Sequence, residues 1–157
     1  MRKISFLIKL RKEGKLQIVE PSSNIKESYI EKSKNSLKSA VILLENNQIE
    51  NAVPMAYYSM YNMLTALLYF AGIKCENHSG AIIILKELFG IDNSKISFAK
   101  TERVDKQYYI NFKVSRSDVE SLIKSAKEFN SMLYDFIDKL TTKQLPEYRK
   151  RIIEALK

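Results

Sequence analysis

With 157 residues, 45% of them apolar, the chain has enough material for one buried core of ordinary domain size without disulfide or metal staples. Four glycines and three prolines are too few for a loop-rich sandwich or a glycine-lined phosphate cradle, and one cysteine and one histidine cannot supply an internal disulfide or a Cys/His zinc centre. No metal or cofactor is therefore expected, and a reducing cytoplasm is the expected compartment. The formal charge of +8 is uneven, with ten basic and four acidic side chains over 1–40, two and five over 41–94, and fourteen and nine over 95–157. Positive ends of this kind suit an anionic partner, nucleic acid or nucleotide first, or else form a solvated surface.

The opening apolar run, Ile4 to Ile8, is cut by Lys9 and is too short for a signal-peptide core, and no stretch approaches the roughly 18 apolar residues of a membrane span. Residues 1–23 read as an arm, with a short helix closed by Gly14 and an extended Lys15 to Glu20 leading to Pro21. Asn24, with Glu27 three residues on, predicts the cap of a first long amphipathic helix through Ile30, Ser33, Leu37, Ala40, Val41 and Leu44, ending near Asn46 and Asn47.

From Ile49 to Ala71 the apolar stripe carries Ala52, Val53, Ala56, Tyr57, Met60, Tyr61, Leu64, Leu67 and Leu68, with Met55, Met63 and Tyr69 widening it. A helix apolar on most sides belongs in the middle of a bundle. Pro54 lies in its first turns, where a missing N–H costs little, and Gly72 closes it. Asn77-His78-Ser79-Gly80 predicts the start of a short helix running to Gly90, and Asp92-Asn93-Ser94 the start of another through Ile96, Ala99, Arg103, Val104 and Tyr108. Ser117 with Glu120 predicts a capping box for a helix of about six turns to Leu140, and a last short helix over 144–157 turns Ile152, Ile153 and Leu156 away from Arg149, Lys150 and Arg151. The sum is a single all-α, up-and-down helical bundle of five to six helices, its core over about 24–140.

There is no Walker loop, no Gly-x-Gly-x-x-Gly turn, no His-Glu-x-x-His pair and no serine elbow. The candidates that remain are His78 and the segment Arg103 to Tyr109. His78 is the one side chain whose ordinary pKa lies near neutrality, so imidazole acid–base chemistry would have to use it; the competing role is capping or packing at a helix start. Arg103-Val104-Asp105-Lys106-Gln107-Tyr108-Tyr109 places Arg103 three residues from Lys106 and four from Gln107 on a helix, a face that holds phosphate through arginine and stacks a base on tyrosine, or else an ordinary solvated face.

The run Asn51-Ala52-Val53-Pro54-Met55-Ala56-Tyr57-Tyr58-Ser59-Met60-Tyr61-Asn62, then Asn77-His78-Ser79-Gly80, then Arg103 to Tyr109 and the helix beginning at Ser117 resembles the small stand-alone HEPN domains of archaea and bacteria over roughly residues 24–140. The resemblance implies a bundle of about five helices that pairs with a second copy and handles RNA or a nucleotide in the cleft between them. Active HEPN ribonucleases use an arginine followed after four to six residues by histidine. The arginine falls on Arg103, and five and six residues on stand Tyr108 and Tyr109.

A tyrosine hydroxyl, with an ordinary pKa near 10, is a weak general base at neutral pH. The first expectation is therefore an RNA- or nucleotide-binding homodimer with a degenerate ribonuclease motif, its cleft lined by Arg103, Asp105, Lys106, Tyr108 and Tyr109. The second is an active metal-independent endoribonuclease toxin in which Arg103 stabilises the phosphorane and Tyr108 or His78 moves the proton. A third is a protein-interaction module. The resemblance also implies a minimal nucleotidyltransferase as partner in a toxin–antitoxin pair. Such a partner modifies a tyrosine two residues past the motif histidine, an offset that lands here on Ile110, with Tyr108 and Tyr109 the nearest tyrosines.

Overall fold

A computed structural model describes residues 2–108, 113–141 and 143–157, with the backbone alone over 104–108. In chain order the described elements are α1 (Arg2–Lys12), β1 (Leu16–Ile18), α2 (Ser23–Glu45), α3 (Ile49–Phe70), β2 (Ile73–Cys75), α4 (His78–Glu87), α5 (Ser94–Tyr108), α6 (Arg116–Lys139) and α7 (Gln144–Ala155). The fold is an all-α bundle. Helix α3 lies at its centre, packed on α2, α5 and α6, as its near-circumferential apolar surface requires, and α1 packs on α4 and β1. Tyr57, Met60, Leu64, Ala66 and Leu67 of α3 are fully buried, and they join Leu7 of α1, Ile84 of α4, Ile96 of α5, Phe129 of α6 and Ile152 of α7 in one core.

Two caps differ from the sequence expectation. Helix α2 begins at Ser23 under Ser22, whose extended backbone lets its hydroxyl accept from the Ile25 N–H; Asn24 is already inside the first turn. The capping box of α6 is built by Ser115 and Asp118, two residues before the expected Ser117 and Glu120, and each side chain there satisfies the other's backbone N–H. Both shifts have one cause: more than one Ser, Asn or Asp stands near each helix start, and the chain's path into the helix selects among them.

The extended Lys15 to Glu20 stretch finds a partner that its sequence did not announce. β1 pairs antiparallel with β2, Leu16 opposite Cys75, Gln17 opposite Lys74 and Ile18 opposite Ile73. Residue 72 then has to turn sharply, and Gly72 does so at φ 76. Arg149 of α7, read from the sequence as a residue on the outward basic face, reaches instead to this junction, where its Nη1 donates to the carbonyls of Val19 (2.7 Å), Ala71 (3.2 Å) and Gly72 (3.1 Å). A long guanidinium stem can cross an apolar surface and deliver its head to orphan carbonyls, which helical periodicity alone does not reveal.

Candidate functional site

Tyr57 and Tyr61 stand one turn apart on α3 and share a face, with Tyr58 beside them. That face meets the start of α4, where Asn77 caps the helix by accepting from the Gly80 N–H at 2.8 Å and so fixes His78 at the first helical position. Close approach of α4 to α1 depends on Gly80, because a Cβ there would lie 2.5 Å from Leu10 Cδ1 and 3.2 Å from Cys75 Sγ.

The His78 ring stacks on Tyr61, with centroids 3.9 Å apart and planes 12° apart, and its Nδ1 lies 2.8 Å from the Tyr57 hydroxyl. Helix α5 brings the charge. Arg103 places its guanidinium 5.1 Å from the Tyr57 ring centre and 5.7 Å from that of Tyr58, and its Nη1 donates to the Tyr58 hydroxyl at 3.1 Å. One turn earlier, Lys100 Nζ donates to Ser79 Oγ at 2.9 Å. Arg103 Nε–H is buried with no acceptor among the described residues.

The electrostatics fix how the imidazole is protonated. Burial first, then Arg103 and Lys100, push the His78 pKa below its ordinary 6.5, so the ring is neutral at pH 7. Burial is also the main force raising the Tyr57 phenol well above its usual value, so that hydroxyl keeps its proton. Tyr57 is fully buried, and its O–H must donate inside the protein; the acceptor within reach is His78 Nδ1. The ring hydrogen of the neutral imidazole then sits on Nε2. His78 therefore offers a donor at its free edge, beside two cations, in a setting made of aromatic faces and hydrogen-bond donors.

The fold thus brings together Arg103 and His78, two of the residues singled out from sequence, through Tyr57. Asp105, Lys106 and Tyr108 lie on α5 with side chains outside the described residues, and Tyr109, like Ile110, lies outside them altogether. Tyr57, Tyr58, Tyr61, Ser79 and Lys100 were not expected at the site. By periodicity Tyr57 and Tyr61 belong to the core stripe, which Tyr57 also occupies; the spacing of Lys100 and Arg103 three apart on one helix is the available signal. Among the described residues no group of three or more His, Cys, Asp or Glu side chains could hold a metal ion, and no helix is long and apolar enough to cross a membrane.

A HEPN domain model matches residues 26–139 of the chain. A UPF0332 protein of Pyrococcus horikoshii is 37% identical over 92 residues, 59% of this chain and 58% of its own length, and a UPF0332 protein of Thermotoga maritima is 30% identical over 88 residues, 54% and 60%. The matched segments thus span less than two thirds of these relatives.

Proposed function

The chain belongs to the HEPN domain family, and from that premise we propose that it is a homodimer that binds RNA or a nucleotide at the cluster of Arg103, Lys100, His78 and the α3 tyrosines, with a degenerate ribonuclease motif. One observation carries the reading: the Tyr57 hydroxyl occupies His78 Nδ1, so the imidazole beside Arg103 and Lys100 is a donor rather than a base. A guanidinium, an ammonium and an imidazole N–H suit phosphate oxygens, and the half-buried Tyr58 and Tyr61 rings suit a base. Pairing with a second copy is supported by Phe98, 58% exposed at the edge of a cleft of about 230 Å³ between α3, α5 and α6. A minimal nucleotidyltransferase as further partner, and a cytoplasmic setting, rest on the family resemblance and on the unpaired cysteine.

The test is incubation of the purified protein with mixed single-stranded RNA in EDTA, with cleavage and retained complex read together for wild type and Arg103→Ala. Intact RNA held in a complex that needs Arg103 is the expected result. Cleavage abolished by Arg103→Ala would establish the second reading, a metal-independent endoribonuclease. That reading draws on the shared contact of His78 and Arg103 with Tyr57 but needs the opposite tautomer, with hydrogen on Nδ1 and Nε2 open to a proton. Neither cleavage nor binding would leave a protein-interaction module.

A further inference from the structure

Helix α1 contains no acidic residue, and over residues 1–15 six basic side chains stand against one carboxylate, Glu13. Its buried line, Leu7 and Leu10, joins the core, and Arg11 donates from Nη1 to the Leu156 carbonyl of α7 at 2.9 Å. Among the described residues two carboxylates reach the helix, and lysine holds each of them: Glu87 of α4 meets Lys3 at 3.5 Å, and Glu13 meets Lys9 at 3.8 Å and Lys15 at 3.2 Å. Arg2 and Lys12 have no ion-pair partner among the described residues. The outer side of α1 thus keeps an excess of positive charge that the fold does not consume.

That side is not merely charged. Ile4 and Ile8, one turn apart, rest one flank on the core and show the other beside Ser5, Lys9 and Lys12, and these five side chains line a shallow groove of about 600 Å³. Cations set around half-exposed aliphatic side chains suit a helix that lies along a bilayer, with its charges at the lipid phosphates and its apolar residues at the acyl boundary. The phosphates of a nucleic acid would meet the same cations, but its hydrated backbone offers nothing to the two isoleucines. At 11 residues α1 is too short to cross a bilayer and can only lie on it.

We propose that the outer face of α1 docks the protein on an anionic phospholipid surface, with Arg2, Lys9 and Lys12 at the headgroup phosphates and Ile4 and Ile8 entering between them. Each cation close to such a surface strengthens binding about fivefold. The proposal does not depend on the reading of the Arg103 cluster.

The experiment is co-sedimentation of the full chain with vesicles of phosphatidylglycerol and phosphatidylcholine in equal parts, and with vesicles of phosphatidylcholine alone. Binding to the anionic vesicles only, weakening as salt is added, is expected. Because the whole chain is positive, the deciding comparison is between double variants of equal charge. Lys9→Gln with Lys12→Gln should lose about twentyfold, whereas Lys124→Gln with Lys127→Gln, at exposed positions of α6, should lose at most about threefold. The chain has no tryptophan, so Ile8→Trp supplies a single reporter whose emission should shift to the blue on anionic vesicles. Single-stranded RNA binding by the same variants reads the competing macromolecule. No preference for anionic vesicles, equal losses in the α1 and α6 pairs, or an unshifted emission would each overturn the proposal, as would an α1 pair that loses RNA affinity and keeps its vesicle binding.

Discussion

The hydroxyl of Tyr57 lies 2.8 Å from Nδ1 of His78, and this single bond decides which nitrogen of the only histidine carries hydrogen. A buried phenol that must keep its proton donates to Nδ1 and leaves Nε2–H outward. Imidazole nitrogen shifts should show the Nε2–H tautomer in the wild type. In Tyr57→Phe, where the donor is gone, they should show a mixture, at a stability cost of about 1 kcal/mol. A wild-type ring found as Nδ1–H would remove the argument that His78 binds rather than abstracts.

The pH dependence follows from the same ring. Burial, Arg103 and Lys100 hold the folded His78 pKa below 6.5, so the unfolded chain takes up the proton first as pH falls. The contribution of His78 to stability is thus fully present above 6.5 and is lost as pH drops through that value to the folded pKa. A proton NMR titration should find the His78 pKa moving up toward 6.5 in Arg103→Ala and, by less, in Lys100→Ala. A pKa unmoved in both would mean that burial alone depresses it.

Binding of RNA at this cluster should be salt-dependent through counterion release. Lys100→Ala should lower the slope of log affinity against log salt by about 1, with a uniform loss across RNA sequences. Arg103→Lys should bind more weakly than wild type, because an ammonium cannot keep both the Tyr58 hydroxyl and the two ring contacts that the planar guanidinium makes. Filter-binding over a salt series checks both, and an unchanged slope in Lys100→Ala would place the phosphate elsewhere.

The helical bundle was legible in the sequence because periodicity speaks directly of burial: the stripe from Ala52 to Leu68 predicted a central helix, and α3 is central. Two members of the cluster, Arg103 and His78, were legible too. What escaped was their meeting, which depends on Gly80 letting α4 close on α1 and on Tyr57 and Tyr61 acting at once as core and as platform. Apolar patterning registers the first role of a tyrosine ring and is silent on where its hydroxyl points. The β1 and β2 pairing and the reach of Arg149 are long-range choices of the same kind, made by three-dimensional proximity between segments of unremarkable local sequence.

Gly80→Ala should therefore damage the cluster from a distance. The added Cβ meets Leu10 Cδ1 at 2.5 Å, and because Leu10 is buried with little room to turn, α1 or the first turn of α4 should shift with it, at a cost of about 1–3 kcal/mol in denaturant unfolding. Because His78 sits two residues before it on the same turn, the ring should also lose its close stack on Tyr61. The expected signature is a changed His78 ring proton shift together with weaker RNA binding; normal stability with an unmoved ring would show that Leu10 yields without disturbing α4.

The Arg149 contacts predict that one side chain ties α7 to the junction of β1 with β2, beside the buried Ile152, the Tyr148 stack on Phe89 and the Arg11 bond to the Leu156 carbonyl. Its Nη1 serves the carbonyls of Val19, Ala71 and Gly72, of which the Gly72 carbonyl also accepts from the Val19 N–H. Arg149→Ala leaves part-buried acceptors unmatched and should cost about 2–3 kcal/mol, more than the lost packing of one stem. Arg149→Lys should recover only part, since an ammonium has a shorter reach and no planar fork. Hydrogen exchange should show protection falling first in α7 and at the junction of β1 with β2, with α3 unaffected until global unfolding. Equal loss of protection across all helices would instead make the Arg149 junction part of the cooperative core.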